Sequence, residues 1–186
     1  MRWKYLPNMI TLMRILLIGP TCYCIAQHHF LHAFSFLILA GISDGLDGFL
    51  ARRFSWQTRL GSILDPAADK LMIISCFSTL AYIKAIPLWL LWIILLKDIV
   101  IVSGALIYHY WIAPYEFSAI LLSKINTFLQ IFFVLVAVAK LQFDQLPNSI
   151  VYGLMYGMMF TTLGSMLNYI WVWSLKAYHH LHGYHD

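Results

Sequence analysis

Long apolar stretches recur along the whole chain between short polar connections, and they leave few choices for the fold. Each stretch approaches the roughly 20 residues that an α-helix needs to cross a bilayer. Only 11% of the residues are charged, whereas a soluble domain carries about 25%. Strands of a membrane barrel alternate apolar and polar residues, but these stretches are apolar on every side. We therefore expect an all-α, polytopic membrane protein, and not a soluble enzyme, a disordered chain or a nucleic-acid-binding module.

The apolar stretches predict six transmembrane helices in a single domain that covers residues 1–186. A short amphipathic segment precedes them and is expected to end at Pro7 and Asn8. His28 and His29 predict a tight turn after the first span, and an exposed, histidine-rich tail is expected after the last. The spans are expected at about residues 9–26, 30–51, 61–83, 88–110, 119–139 and 150–174.

The distribution of basic residues predicts the orientation of the spans. An even number of spans places both termini on one face, together with the connection around residues 52–59. Lysine and arginine accumulate on cytoplasmic loops. Six of them fall on the face of the termini (Arg2, Lys4, Arg52, Arg53, Arg59 and Lys176) and two on the other (Lys84 and Lys140). We therefore expect both termini on the cytoplasmic side of a membrane, with a bacterial inner membrane as the location.

Half of the eight acidic residues lie beside the connection between the second and third spans. An aspartate deep in a bilayer costs roughly 2.5–3.5 kcal/mol, so such residues usually face an interior cavity. Asp44 and Asp47 are three residues apart, and Asp65 and Asp69 are four apart, so each pair shares one face of its helix. Because the two spans are antiparallel neighbours, the sequence predicts that the four carboxylates converge.

Converging carboxylates repel one another unless cations neutralise them. Oxygen ligands favour hard ions such as Mg²⁺, Mn²⁺ or Ca²⁺, and two ions about 3.5–4 Å apart are typical of phosphoryl chemistry. Arg52 and Arg53 carry charge suited to phosphate oxygens. Small residues leave space for a substrate beside the backbone; they are Gly45, Gly48, Ala51 and Gly61. The pattern indicates a phosphorylated, nucleotide-bearing substrate at the membrane surface.

Eight residues at fixed spacing in the segment 44–69 make this pattern specific. The segment reads Asp44-Gly-Leu-Asp47-Gly48-Phe-Leu-Ala51-Arg52, then eight residues, then Gly61-Ser-Ile-Leu-Asp65-Pro-Ala-Ala-Asp69. It resembles the signature of the CDP-alcohol phosphotransferase (CDP-alcohol phosphatidyltransferase) family at every fixed position. Residues 7–14 (Pro-Asn-Met-Ile-Thr-Leu-Met-Arg) and 123–127 (Ser-Lys-Ile-Asn-Thr) resemble the glycerophospholipid branch of that family.

The resemblance implies a six-helix membrane enzyme, commonly a homodimer, that transfers a phosphatidyl group from CDP-diacylglycerol to an alcohol and releases CMP. It implies that two divalent cations, Mg²⁺ or Mn²⁺, are held by Asp44, Asp47, Asp65 and Asp69. Asp69 would also be the general base. The CDP site would be lined by Gly48, Ala51, Arg52 and Gly61. The active site would open to the cytoplasmic leaflet of the bilayer.

Two acceptor alcohols remain open within the glycerophospholipid branch. Glycerol 3-phosphate gives phosphatidylglycerophosphate, and its phosphate monoester needs cations; the candidates are Arg14, Lys70, Lys97 and Lys124. Phosphatidylglycerol gives cardiolipin. Lys97-Asp98 and Asn126 stand where glycerophosphate enzymes typically carry Arg-Glu and a second lysine, so both resemble eukaryotic-type cardiolipin synthases instead. The greater frequency of glycerophosphate enzymes among bacterial members favours glycerol 3-phosphate slightly.

A cation or proton transporter is the alternative from another functional class, because it would also place carboxylates in a membrane. Transporters hold them near the midplane, often on broken or repeated helices. Here the aspartates cluster near one end of two spans, and the sequence has no internal repeat. The pattern therefore favours the enzyme.

Overall fold

A computed structural model describes residues 6–54, 61–111 and 121–181, and within these ranges the backbone forms six α-helices. The all-α class predicted from the sequence is therefore confirmed. The helices are α1 (Leu6–Ala26), α2 (Phe30–Arg53), α3 (Gly61–Tyr82), α4 (Leu88–Trp111), α5 (Leu121–Gln142) and α6 (Asn148–Leu181).

Three stretches within the described helices are long and apolar enough to cross a membrane. They are Met9–Ala26, Ile125–Gln142 and Asn148–Val172. A shorter apolar stretch, Phe30–Leu46, occupies most of α2. By length and hydropathy, three stretches of the described residues are candidate membrane spans. The sequence led us to expect six.

Two helices run further than the sequence led us to expect. α1 begins at Leu6 and includes Pro7 and Asn8, because a proline is tolerated in the first turn, where its missing N–H has no partner to lose. α6 has 34 residues and continues through His179 and His180, since Leu175, Lys176 and Ala177 are good helix formers. The connection expected between the fourth and fifth spans, around residues 113–116, lies outside the described residues, as do most of the 52–59 connection and the tail residues His182 and His185.

The first and third helices both end in a left-handed residue that is not glycine. His28 has φ 61° and Lys84 has φ 59°. The N–H of His29 donates to the carbonyl of Cys24 at 2.8 Å, and that of His28 donates to Ile25 at 3.1 Å. This is the Schellman arrangement, which satisfies carbonyls at a helix end. The predicted turn at His28 and His29 is therefore confirmed.

The chain divides into two compact units, one of Met1–Leu88 with Val134–Val151 and the other of Trp89–Phe133 with Tyr152–Asp186. In the first unit α1 packs against both α2 and α3. Its core consists of fully buried apolar side chains, among them Ile25, Ala33, Phe77 and Leu80. In the second unit Leu90, Ile94, Phe133 and Met158 are similarly buried. The first unit contains the helices that carry the aspartates.

Candidate functional site

The apolar helix α1 carries two buried polar side chains one turn apart. Thr11 is fully buried and Arg14 is 2% exposed. Residues three apart lie on the same face of a helix. Because α1 packs against α2 and α3, this face can reach the carboxylates of both. A buried arginine in an apolar helix needs such partners, since an unpaired charge away from water costs several kcal/mol.

One nitrogen of Arg14 joins carboxylates from two helices. Its Nη1 lies 2.8 Å from Oδ1 of Asp44 on α2 and 2.6 Å from Oδ1 of Asp69 on α3. Contacts of this length between a guanidinium and a carboxylate are strong, charge-assisted hydrogen bonds. The end of α2 and the beginning of α3 are thus connected through α1.

Thr11 holds a third carboxylate. Its Oγ1 donates a hydrogen bond to Oδ1 of Asp65 on α3 at 2.6 Å. Three of the four predicted metal ligands are therefore bound by the same face of α1. Asp47 lies three residues after Asp44 in α2, but its side chain is outside the described part of the structure.

The site is buried on the arginine side and open on the carboxylate side. Arg14 is 2% exposed, whereas the side chains of Asp44 and Asp69 are 48% and 32% exposed. Beside Asp44, a Cβ added to Gly45 would meet no heavy atom within 4 Å. The partial exposure of both carboxylates leaves them accessible to a cation or a polar ligand.

The structure does not test the predicted roles of the remaining ligand residues. Gly48 lies in α2, and Gly61 is buried at the start of α3. Ala51 and Arg52 belong to α2, but their side chains lie outside the described residues. Among the side chains that are described, no group of three or more His, Cys, Asp or Glu is arranged to hold a metal ion. The four-carboxylate metal site and the CDP site thus remain predictions.

The basic side chains that are candidates for binding an acceptor phosphate lie in different surroundings. Lys97, on α4 in the second unit, is 1% exposed, and its Nζ lies 3.4 Å from Oδ1 of the neighbouring Asp98. Adjacent residues point about 100° apart on a helix, and the length of the lysine side chain allows this contact. Lys70 on α3 is partly buried and follows Asp69 directly. The side chain of Lys124 lies outside the described residues.

A second polar cluster lies between α5 and α6 in the second unit. Asn126 is fully buried, and its Oδ1 accepts hydrogen bonds from the hydroxyls of Thr161 at 3.0 Å and Thr162 at 2.8 Å. The Nδ2 of Asn126 and both amide atoms of the buried Gln130 have no hydrogen-bond partner among the described residues. The uncharged Asn126 therefore joins α5 to α6.

Sequence reasoning missed the part that α1 plays in the site. Thr11 was not among the candidate residues, and Arg14 was considered only for binding an acceptor phosphate. The signal was present in the sequence, because an ionisable residue in an apolar helix is expected to pair with another charge. The i, i+3 spacing of Thr11 and Arg14 placed both on one face.

Three membrane-length apolar stretches, together with aspartates of α2 and α3 that are bound by α1, are features of a class of integral membrane proteins. The chain belongs to the CDP-alcohol phosphatidyltransferase family, whose sequence model matches residues 4–173. This confirms the family resemblance drawn from the aspartate signature, and the match continues through both compact units.

Among the relatives that match this chain, some are named cardiolipin synthase and others glycerol-3-phosphate phosphatidyltransferase. The chain is 32% identical over 181 residues to a probable cardiolipin synthase (CMP-forming) of Drosophila melanogaster. It is 30% identical over 180 residues to the cardiolipin synthase (CMP-forming) of Homo sapiens. These matches cover 89% and 88% of this chain but only 56% and 60% of the relatives. A CDP-diacylglycerol–glycerol-3-phosphate 3-phosphatidyltransferase of Aquifex aeolicus is 32% identical over 105 residues, covering 54% of this chain and 57% of that protein. The chain thus spans a little over half the length of these relatives.

Proposed function

We propose that the protein transfers a phosphatidyl group from CDP-diacylglycerol to a glycerol-type alcohol and releases CMP. The observation that carries this proposal is the joining of Asp44 and Asp69, from two helices of the family signature, by one buried arginine. Membership in a phosphatidyltransferase family supports the same reaction. A transporter, the alternative that the sequence left open, receives no support from the family match.

The proposed reaction takes place at the edge of a bilayer. We propose that all six helices span the membrane and that both termini and the active site face the cytoplasm, with a bacterial inner membrane as the location. The excess of lysine and arginine on that face supports the orientation. The protein would act as a homodimer, as the family resemblance implies. In this arrangement the acyl chains stay in the bilayer while the diphosphate reaches the carboxylates.

We propose that the site holds two divalent cations, Mg²⁺ or Mn²⁺. Nη1 of Arg14 already stands as a cation between Asp44 and Asp69, and oxygen-only ligands favour hard ions. We propose that these two residues hold the cations together with Asp47 and Asp65. When bound, the cations would neutralise the diphosphate and the charge that develops on departing CMP.

The side chains of the site would have separate roles in the reaction. Asp69 would accept the proton of the acceptor hydroxyl as that oxygen attacks phosphorus. Arg52 would pair with phosphate oxygens of the nucleotide. The open space beside Gly45, together with the small residues Gly48 and Gly61, would let the CDP group approach the backbone. Ala51 would line the same space.

We propose phosphatidylglycerol as the acceptor, with cardiolipin as the product. A phosphate monoester such as glycerol 3-phosphate needs cations to bind it, but the buried Lys97 pairs with Asp98. The relatives named cardiolipin synthase from Drosophila melanogaster and Homo sapiens match 89% and 88% of this chain, whereas relatives named as glycerophosphate enzymes from Oryza sativa and Aquifex aeolicus match 76% and 54%. These observations outweigh the frequency argument that favoured glycerol 3-phosphate, which remains the alternative.

The acceptor is tested with the purified full chain in mixed micelles containing Mg²⁺ and labelled CDP-diacylglycerol. Phosphatidylglycerol and glycerol 3-phosphate are offered separately, and a sample without acceptor measures hydrolysis. We expect labelled cardiolipin from the first acceptor and little product from the second. Phosphatidylglycerophosphate formation would replace the proposed acceptor but keep the reaction class. A failure to release CMP with either acceptor would contradict the proposed function.

A further inference from the structure

The side chain of Arg14 supplies a cation to both Asp44 and Asp69. Nη1 of Arg14 lies 2.8 Å and 2.6 Å from their Oδ1 atoms. Both carboxylates belong to the proposed metal site. A divalent ion such as Mg²⁺ binds carboxylate oxygens at about 2.0–2.1 Å. A guanidinium and a divalent ion at the same carboxylates would therefore be like charges within a few ångströms of each other, and each would weaken the binding of the other.

The three side chains differ in burial: Arg14 is enclosed by the protein, whereas the two carboxylates are partly exposed to solution. Arg14 is 2% exposed, so its charge depends on partners inside the protein. Asp44 and Asp69 are 48% and 32% exposed, so a cation from solution can reach them. The arginine neutralises these two carboxylates, one on α2 and one on α3, which would otherwise repel each other.

We propose that Arg14 is an exchangeable counter-ion, which neutralises Asp44 and Asp69 in the metal-free protein and competes with divalent cations for the same carboxylates. This inference rests on the metal site of the proposed function. It gives Arg14 a different role from the binding of an acceptor phosphate. Thr11 is the natural contrast, because its hydroxyl orients Asp65 without bringing a charge.

The experiment measures Mn²⁺ binding to the detergent-solubilised full chain by electron paramagnetic resonance, with no lipid substrate present. Arg14→Gln removes the charge, and Arg14→Lys keeps it. Thr21→Val is the matched control, because Thr21 is a buried polar residue of α1 whose hydroxyl bonds only the Leu17 carbonyl of its own helix among the contacts described. We expect Arg14→Gln to bind Mn²⁺ about tenfold more tightly or better, as removal of a like charge within 4–6 Å shifts ionic equilibria by that order. Arg14→Lys and Thr21→Val should stay close to wild type.

Specific results would overturn the inference. Arg14→Gln with unchanged or weaker Mn²⁺ affinity would show that the arginine supports the site instead of competing for it. Equal tightening in Arg14→Lys would show that charge is not the cause. A wild-type chain that binds no Mn²⁺ would overturn both the inference and the proposed metal site. Tighter Mn²⁺ binding by Arg14→Gln, together with no CMP release by the wild type, would keep the inference and contradict the proposed function.

A second measurement covers the case in which Arg14→Gln does not survive purification without metal. The variant is then purified with Mn²⁺, and melting temperatures are recorded before and after chelation with EDTA. A ligand that binds only the folded state stabilises it more as its affinity rises. We therefore expect Mn²⁺ to raise the melting temperature of Arg14→Gln by more than that of wild type. A rise equal to or smaller than that of wild type contradicts the competition.

Discussion

Thr11 on α1 donates a 2.6 Å hydrogen bond to Oδ1 of Asp65 on α3, across 54 positions of sequence. One turn further along α1, Arg14 binds Asp44 and Asp69. The first helix lies outside the aspartate signature, yet it holds three of the four signature carboxylates in place. It is therefore part of the candidate active site.

Replacement of Thr11 by valine keeps the shape of the side chain and removes its donor. Outer-sphere hydrogen bonds to metal ligands are typically worth 10–100-fold in affinity or activity, so we expect Thr11→Val to lower both the turnover rate and the Mn²⁺ affinity by about this factor. Thr11→Ser, which keeps the hydroxyl, should recover most of the loss. Wild-type turnover in a folded Thr11→Val protein would show that the bond to Asp65 does not orient that carboxylate.

The helix content and the identity of the carboxylates could be predicted from the sequence, because both depend on local sequence patterns. Apolar stretches indicated where helices lie, and the i, i+3 and i, i+4 spacings indicated which carboxylates share a face. The partners of Arg14 could not be read in the same way. They depend on how α1 packs against α2 and α3, and the spacing within one helix does not determine contacts with another.

The end of α6 likewise could not be predicted from the sequence pattern. Charged and polar residues after Ser174 led us to expect a tail, but the helix continues to Leu181. Hydropathy predicts where an apolar span ends, whereas the helical backbone can continue into polar sequence. Leu175, Lys176 and Ala177, which follow Ser174, are good helix formers.

Lys97 offers a test of whether a buried cation serves structure or acceptor binding. Its ammonium pairs with Asp98, and the two side chains are 1% and 15% exposed. Removing one partner of a buried pair costs about 3–5 kcal/mol, because the other charge stays buried. We therefore expect Lys97→Met to lower the melting temperature strongly and Lys97→Met with Asp98→Asn to recover part of it. A Lys97→Met protein of wild-type stability with a raised KM for the acceptor would assign Lys97 to substrate binding.

The contact between Asn126 and Thr162 predicts a measurable coupling between α5 and α6. The bond is 2.8 Å long and both residues are buried. Interhelical hydrogen bonds in membrane proteins average about 0.6 kcal/mol, with values up to about 1.7. A double-mutant cycle of Asn126→Ala and Thr162→Ala, followed by unfolding in mixed micelles, should give a coupling energy in this range. A coupling of zero would indicate that the two side chains do not stabilise the helix pair together.

We propose that carboxylates of α2 and α3, held by α1, carry out phosphatidyl transfer with divalent cations. The most direct measurement is CMP release from CDP-diacylglycerol in the presence of phosphatidylglycerol and Mg²⁺, compared between wild type and Asp69→Asn. Asp144→Asn is the matched control, because this exposed aspartate pairs with Lys140 at the end of α5, outside the proposed site. Loss of a general base typically costs about 10²–10⁴-fold in rate.

We predict that Asp69→Asn accumulates normally but loses CMP release by at least about a hundredfold. Asp144→Asn should release CMP at the wild-type rate, and EDTA should abolish release until Mg²⁺ or Mn²⁺ is restored. CMP release by Asp69→Asn at the wild-type rate would contradict the account.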